Sequence, residues 1–246
     1  MALEYQEPDS LHALVADNRP GPAWHAVRPP VVDDAPAAET LAERLADRLR
    51  DMIVTEEFAV GTPLRERQLA ERLGASRTPL REAIKYLASE GLVELVQSRG
   101  AVVKRFDAKD VHDMLVVIGN LEELAGRLCC RNASDTEIAT IRAAHDEMTR
   151  LYGIGDRLAY YKLNQEIHTL IVRYSGNEAL AHVHATLQMR LKRIRFIGHE
   201  GPERWAAAIA EHEEMITALE RRDGDALAET LGRHLRNAWE RVKGAV

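Results

Sequence analysis

A chain of 246 residues, 46% hydrophobic, 29% charged and only 5% aromatic, suits one large or two modest domains and favours helix over sheet. Its net charge of −6 excludes a crude polycation, and only residues 40–106, at +2, are positive on balance. Cys129 and Cys130 are adjacent, which excludes a disulfide framework and fits reduced thiols in the cytoplasm. No apolar run approaches the roughly 18 residues of a membrane span, and the acidic start lacks a secretory pattern.

Residues 1–39 carry six prolines and no sustained periodicity, so they read as a flexible tail. Leu41, Leu45, Leu49, Met52 and Ile53 then recur at helical spacing up to about Glu57. Gly61 and Pro63 mark a loop. A second helix spans about 66–73 and stops at Gly74. Ser76 is a good N-cap for a third, from Arg77 to about Glu90, with Pro79 in its first turn, where no backbone donor is lost. "LVELV" and "AVVKRF" flank "QSRG" as a β-hairpin. Beyond Asp107 the pattern predicts six helices, near 108–132, 135–151, 156–174, 177–198, 202–222 and 225–242. Ser134 and Glu137 have the spacing of a capping box. The expected architecture is mainly α: a winged helix-turn-helix over 40–106 and an all-helical bundle of about six helices over 107–246.

In "ASRTPLREAIKYLASEGLVEL", Arg77, Arg81 and Lys85 sit four residues apart on one helix face, and a glycine and a strand follow. Helix, turn, cationic helix and hairpin is the order of a winged helix-turn-helix, whose third helix enters the DNA major groove. Arg77, Thr78 and Arg81 lie on its leading turns, where arginine can fork onto a guanine edge or reach a phosphate. Arg99 beside Gly100 at the hairpin tip suits a narrow minor groove. The bland reading pairs these arginines with Glu66, Glu71 and Glu82 on a solvated face. "LRERQLAERLGASRTPLREAIKYLASEGLVELVQSRGAVV" resembles the DNA-binding domain of the GntR family of bacterial transcription regulators. The resemblance implies DNA contacts from Arg67, Arg77, Thr78 and Arg81, with Arg99 and Gly100 at the wing.

In the helical half, His212 falls in an arc with Ile209, Ile216 and Leu219, and His234 with Leu227, Leu231 and Ala238. His168 shares a face with Asn164 and Ile171. Each is either a hydrogen-bonded core histidine or one of three inward imidazoles sharing an ion. "HEEMI" lacks the second histidine of a zinc-protease helix. The other seven histidines show no comparable arrangement. "NQEIHTL", "SGNEAL", "EHEEMITALERRDGDA" and "GRHLRNA" resemble the FCD effector domain of the FadR-type branch of GntR regulators. That resemblance implies a divalent metal site at Asn164, His168, His212 and His234, with Zn²⁺, Ni²⁺ or Mn²⁺ as the candidates. Asn164 stands where relatives commonly have Asp, and a neutral amide is a weaker ligand. Ile118 stands where many relatives have an effector-facing arginine.

Arg190 and Glu122, near apolar stripes, are the expected replacements in the effector pocket, against a reading in which each forms a buried salt bridge with the other or with a neighbour. Arg193 and Arg195 fall further off and are expected to be solvated. The expected function is a cytoplasmic, dimeric regulator, commonly a repressor. It would bind a pseudo-palindromic DNA operator and sense a small carboxylate metabolite at the metal. The competing readings are a metal-dependent hydrolase built on His168, His212 and His234, and an architectural DNA-binding protein without a ligand.

Overall fold

The computed structural model describes residues 40–97, 100–197 and 202–244; the tail expected at 1–39 and the side chain of Arg99 lie outside them. The described residues form helix α1 (Leu41–Val54), strand β1 (Pro63–Leu64), helices α2 (Glu66–Leu73) and α3 (Arg77–Ser89), and strands β2 (Val93–Val96) and β3 (Gly100–Val103). Six helices follow: α4 (Ala108–Asn132), α5 (Asp135–Ile154), α6 (Arg157–Tyr174), α7 (Glu178–Ile197), α8 (Pro202–Glu220) and α9 (Gly224–Val242). No described helix is long and apolar enough to cross a membrane.

Local chemistry sets the boundaries. Thr40 and Glu43 close a capping box on α1, and Ser134 and Glu137 close the expected one on α5. Gly74 ends α2 in the left-handed region at φ +64°, which glycine adopts without steric cost. Ser76 takes the N-cap backbone conformation of α3, but its hydroxyl makes no cap hydrogen bond. The Pro63 segment, expected as loop, is a two-residue strand. It pairs antiparallel with β3, Pro63 opposite Val102 and Leu64 opposite Ala101, giving the sheet order β1-β3-β2. Proline has no N–H to donate, so an edge strand is where it is tolerated. A two-residue strand is too short to show alternation, so the sequence pattern is silent there.

Leu49, Ile53, Leu80, Leu87 and Val103 form the core of the winged part, all at 1% exposure or less. In the helical part α4 packs chiefly on α9 and also on α6 and α7, while α5 packs on α6 and α8. Gly126 and Gly232 are two of the small residues where α4 and α9 meet; a Cβ at Gly126 would press on Leu227 and Leu231. Arg222 ties helix ends together, donating to the Cys130 and Ala133 carbonyls (3.1 and 2.8 Å) and to Asp135 (2.7 Å).

The two parts are joined by more than the linker at 104–107. Val54 of α1 belongs to the apolar cluster of the helical part. Lys162 of α6 pairs with Asp51 and Arg193 of α7 with Glu56, both at 2.6 Å. Gly91, just past α3, has φ +76°, and a Cβ there would stand 3.1 Å from Cγ of Arg190 on α7. Gly91→Ala therefore meets backbone strain and a crowded neighbour together. It should lower the unfolding free energy by about 1–3 kcal/mol in urea denaturation.

Candidate functional site

The first candidate surface is the leading face of α3. Arg77, Thr78, Arg81 and Lys85 are all exposed there, as is Arg67 on α2. A groove of about 500 Å³ runs between this face and the wing, lined by Arg81, Lys85, Leu95 and Gly100 among others. Gly100 has φ +77° with open space where a Cβ would be, so the wing tip can approach another surface closely. Glu66 at the start of α2 holds two of the arginines. Arg81 donates to it at 3.1 and 2.8 Å, and Arg77 at 3.5 Å. These bonds to Arg81 keep the Glu66 carboxyl below its usual pKa. The acid pairing considered from the sequence thus exists, but with Glu66 alone among the acids named for Arg77 and Arg81.

The second candidate lies inside the helical part. His168 from α6, His212 from α8 and His234 from α9 are completely buried. Their ring centroids are 5.0 to 5.1 Å apart, and one ligand atom from each lies within 4.8 Å of the others. Two carboxylates set the ring orientations. His168 Nδ1 donates to Glu122 Oε2 at 2.7 Å, and His184 Nε2 donates to the other oxygen at 3.0 Å. His234 Nδ1 donates to Glu211 Oε2 at 2.6 Å, to which Arg241 also donates at 3.5 Å, while Asn237 donates to Glu211 Oε1 at 2.6 Å. With Nδ1 protonated, each Nε2 keeps its lone pair. The Nε2 atoms of His168 and His234 are buried and have no hydrogen-bond partner among the described residues. Burial lowers the pKa of both rings, and for His234 the nearby cationic groups add to it. Three converging imidazoles, two of them braced by a carboxylate behind, form a donor set that suits a borderline divalent metal. The residues therefore fit the ion that the sequence implied.

Asn164 completes the wall. Gln188 on α7 donates to Gln165 Oε1 at 3.0 Å, Gln165 to Asn164 Oδ1 at 3.0 Å, and Asn164 Nδ2 to His212 Nε2 at 2.9 Å. An amide offers a donor at one end and an acceptor at the other, so rotating these side chains would turn the Asn164 oxygen to the cluster.

Models of two families match the chain. "Bacterial regulatory proteins, gntR family" matches residues 41–103, and the FCD domain matches residues 113–237. The Nta operon transcriptional regulator of Aminobacter aminovorans is 31% identical over 205 residues, covering 79% of this chain and 93% of that protein. This chain belongs to the GntR family and carries an FCD domain. Another GntR relative, described as a probable D-xylose utilization operon transcriptional repressor from Paenarthrobacter nicotinovorans, is 28% identical over 82% of this chain and 90% of its own length. The solved structure of E. coli McbR/YncC shares the fold at a TM-score of 0.70 and 20% identity, covering 80% of this chain and 94% of that one. The relatives are transcription regulators, so the chain is a GntR regulator and the hydrolase alternative falls.

Two sequence expectations about this GntR chain need correction. Arg190 is exposed and packs beside Gly91, away from the histidines. The inward cation of α7 is Arg195, 2% exposed, which the sequence reading left in solvent. The error is one of phase. The buried face of α7 runs through Leu180, His184, Gln188, Leu191 and Arg195, while Val183, seven residues before Arg190 on the same side, is 46% exposed. Glu122 is buried and paired, as the second reading had it, with the neighbouring His168 and His184. The sequence reading also gave His184 no role and overlooked Glu211 and Arg241. Cys129 and Cys130 are buried free thiols, and burial pushes them up to about 12 and about 11, which makes them poor redox sensors.

Glu66 competes with any anion for Arg77 and Arg81. Glu66→Gln should tighten binding to mixed-sequence duplex DNA about 3–10-fold at low salt, measured by fluorescence anisotropy, and the gain should shrink as salt rises.

Proposed function

We propose that this GntR regulator is a cytoplasmic homodimer that binds a pseudo-palindromic operator. In this reading the unit at 40–106 reads DNA, and the unit at 107–246 senses a small carboxylate through a metal ion. The observation that carries the sensing half is the set of three buried imidazoles, two of them braced from behind by Glu122 and Glu211. His168, His212 and His234 would hold Zn²⁺, Ni²⁺ or Mn²⁺, with Asn164 as a fourth, neutral ligand. A bound ion would offer open coordination positions to a carboxylate. Arg195, buried on α7, and Arg241, half-buried on α9, replace Arg190 as the cations proposed to face that ligand; both lie close enough to His234 to disfavour its protonation. Glu122 then supports His168 and does not touch the effector. With Ile118 fully buried on α4, that side of the chamber is apolar, which favours an acid with a hydrophobic body. Repression is proposed from the described role of the D-xylose relative.

On the DNA side, Arg67, Arg77, Thr78, Arg81 and Gly100 are the proposed contacts, together with Arg99. One recognition helix reads only a few base pairs, so two related by a twofold axis are needed for a unique site. DNA selected by the parent protein from a random pool should be a pseudo-palindrome. Arg81→Ala should weaken binding to it by about 1–3 kcal/mol, read by gel shift. Equal binding by parent and variant would remove Arg81 from the interface.

For the metal, protein purified without a nickel column should carry close to one divalent ion per chain by elemental analysis, and His234→Ala should lose it. Asn164→Asp should raise metal affinity at least about tenfold in chelator competition, because a carboxylate adds charge to the donor set. A thermal-shift screen of carboxylates should give hits that vanish on chelation and in Arg195→Leu. Hits that survive both would place the effector elsewhere.

A further inference from the structure

Where α1 meets α6 and α7 lies a groove of about 380 Å³, outside the histidine cluster, since none of the three imidazoles lines it. Gln165 and Gln188, at 7% and 5% exposure, form its floor beside Thr169. Val54, Leu158 and Met189 give it an apolar side. Its charged residues balance, Arg50, Lys162 and Lys192 against Asp47, Asp51 and Glu166. Most of them answer one another. Arg50 donates to Glu90 at 2.8 and 2.5 Å and to Asp47, and Lys162 pairs with Asp51. Two charges are left over. The side chains of Lys192 on α7 and Glu166 on α6 make no hydrogen bond or ion pair among the described residues. Glu166 is exposed, but Lys192 is half-buried, and an ammonium drawn partly out of water without a counter-ion is unsatisfied. Burial and the neighbouring Arg50 hold Lys192 below the usual lysine pKa, with Glu90, Asp47 and Asp51 opposing from beyond ion-pair reach. An anion placed beside it is therefore favoured.

We infer that this groove binds a small zwitterion of the amino-acid type, with its carboxylate on Lys192, its ammonium on Glu166 and its apolar side chain against Val54, Leu158 and Met189. Charge selects the class. A plain carboxylate answers Lys192 but faces three acids, and a phosphate or polycarboxylate faces them with more charge. A simple amine faces three bases. A zwitterion keeps the balance and completes both open groups. Spacing agrees. Tyr161 donates to the Lys192 carbonyl at 2.6 Å and Gln188 to Gln165 Oε1 at 3.0 Å, so α6 and α7 run antiparallel along the groove. Lys192 is thus level with Tyr161, and Glu166 lies roughly 7.5 Å further along the axis. A charge separation of about 3 Å in the ligand, with a hydrogen bond of about 2.9 Å at each end, covers that span. The volume falls at the low end of the roughly 300–1,000 Å³ of small-molecule sites, which suits a ligand of this size. The site differs in place and in chemistry from the metal-borne one proposed above. Its occupant would touch α1 together with α6 and α7, fastening the winged part to the helical part.

The test is isothermal titration calorimetry on the full chain, stripped of metal by chelation. L-leucine and L-methionine are the probes. Two controls carry one charge each: isocaproate, which is leucine without its amine, and isoamylamine, which is leucine without its carboxylate. Leucine or methionine should bind with a Kd below about 1 mM, and both controls at least about tenfold more weakly. Lys192→Met keeps the apolar stem and should weaken amino-acid binding at least about tenfold. Glu166→Gln, at an exposed position, should weaken it about 3–10-fold, which keeps the test alive should Lys192→Met unfold. Circular dichroism and the unfolding midpoint establish that each variant is folded. Restored Zn²⁺ and His234→Ala should each change the Kd by less than about threefold, as expected of separate sites. Absence of binding by both amino acids up to about 10 mM overturns the inference. So does a control that binds as tightly as leucine, or folded variants at Lys192 and Glu166 that bind like the parent. Binding that needs the ion, or that His234→Ala abolishes, assigns the amino acid to the histidine cluster; it overturns this groove and leaves the metal-borne reading standing.

Discussion

The helical half is organised around one carboxylate. Glu122 is 1% exposed, and a buried charge of that kind costs several kcal/mol unless its oxygens are satisfied. Both are satisfied, one by His168 on α6 and one by His184 on α7. A single side chain of α4 thereby fixes the rotation of two neighbouring helices. It also fixes which nitrogen of His168 faces the cluster, because the pKa of Glu122 is held well below the usual range and only an ionised carboxylate accepts from both rings. Glu211 does the same for His234 from the other side. Convergence of the imidazoles is thus imposed by second partners that do not themselves line the convergence point. Removing either partner would leave a charge or a ring with nothing to answer it, which is why such groups tolerate so little substitution.

How much of this was legible in the sequence depended on the length scale of the signal. α2 and α4 fall at 66–73 and 108–132 as periodicity and capping residues predict, since both patterns extend over many residues. His168, His212 and His234 were found because each sits on a long apolar arc. His184 sits on such an arc as well, but an apolar arc of α7 drawn toward Arg190 turns the helix too far and puts Arg195 outward. The spacing Leu180, His184, Leu191, Arg195 held the correct phase. Glu211 was harder to see, since a glutamate next to His212 on an amphipathic helix reads as surface until the neighbouring helix is in place. β1 carried no periodic signal at all.

The arginines of α3 illustrate a different balance. Each is exposed and sits opposite Glu66, an arrangement worth little in stability because water and salt screen it. Its effect is on availability. A guanidinium already occupied by a carboxylate must exchange that partner for a phosphate or a base, and nonspecific anions are disfavoured more than a ligand that engages both arginines at once.

The backbone of Gly91 turns the chain out of α3, and the missing side chain makes room for the stem of Arg190. Arg190 lies on the helix that also buries His184, Gln188 and Arg195 inside the helical part, so α7 works as an axle with one rim in each half of the molecule. The side chains reach several ångströms from the helix axis, so a few degrees of roll move their tips by fractions of an ångström in opposite directions on opposite sides. Contacts from α7 thus reach both the neighbourhood of the histidines and the end of α3 without passing through the linker at 104–107.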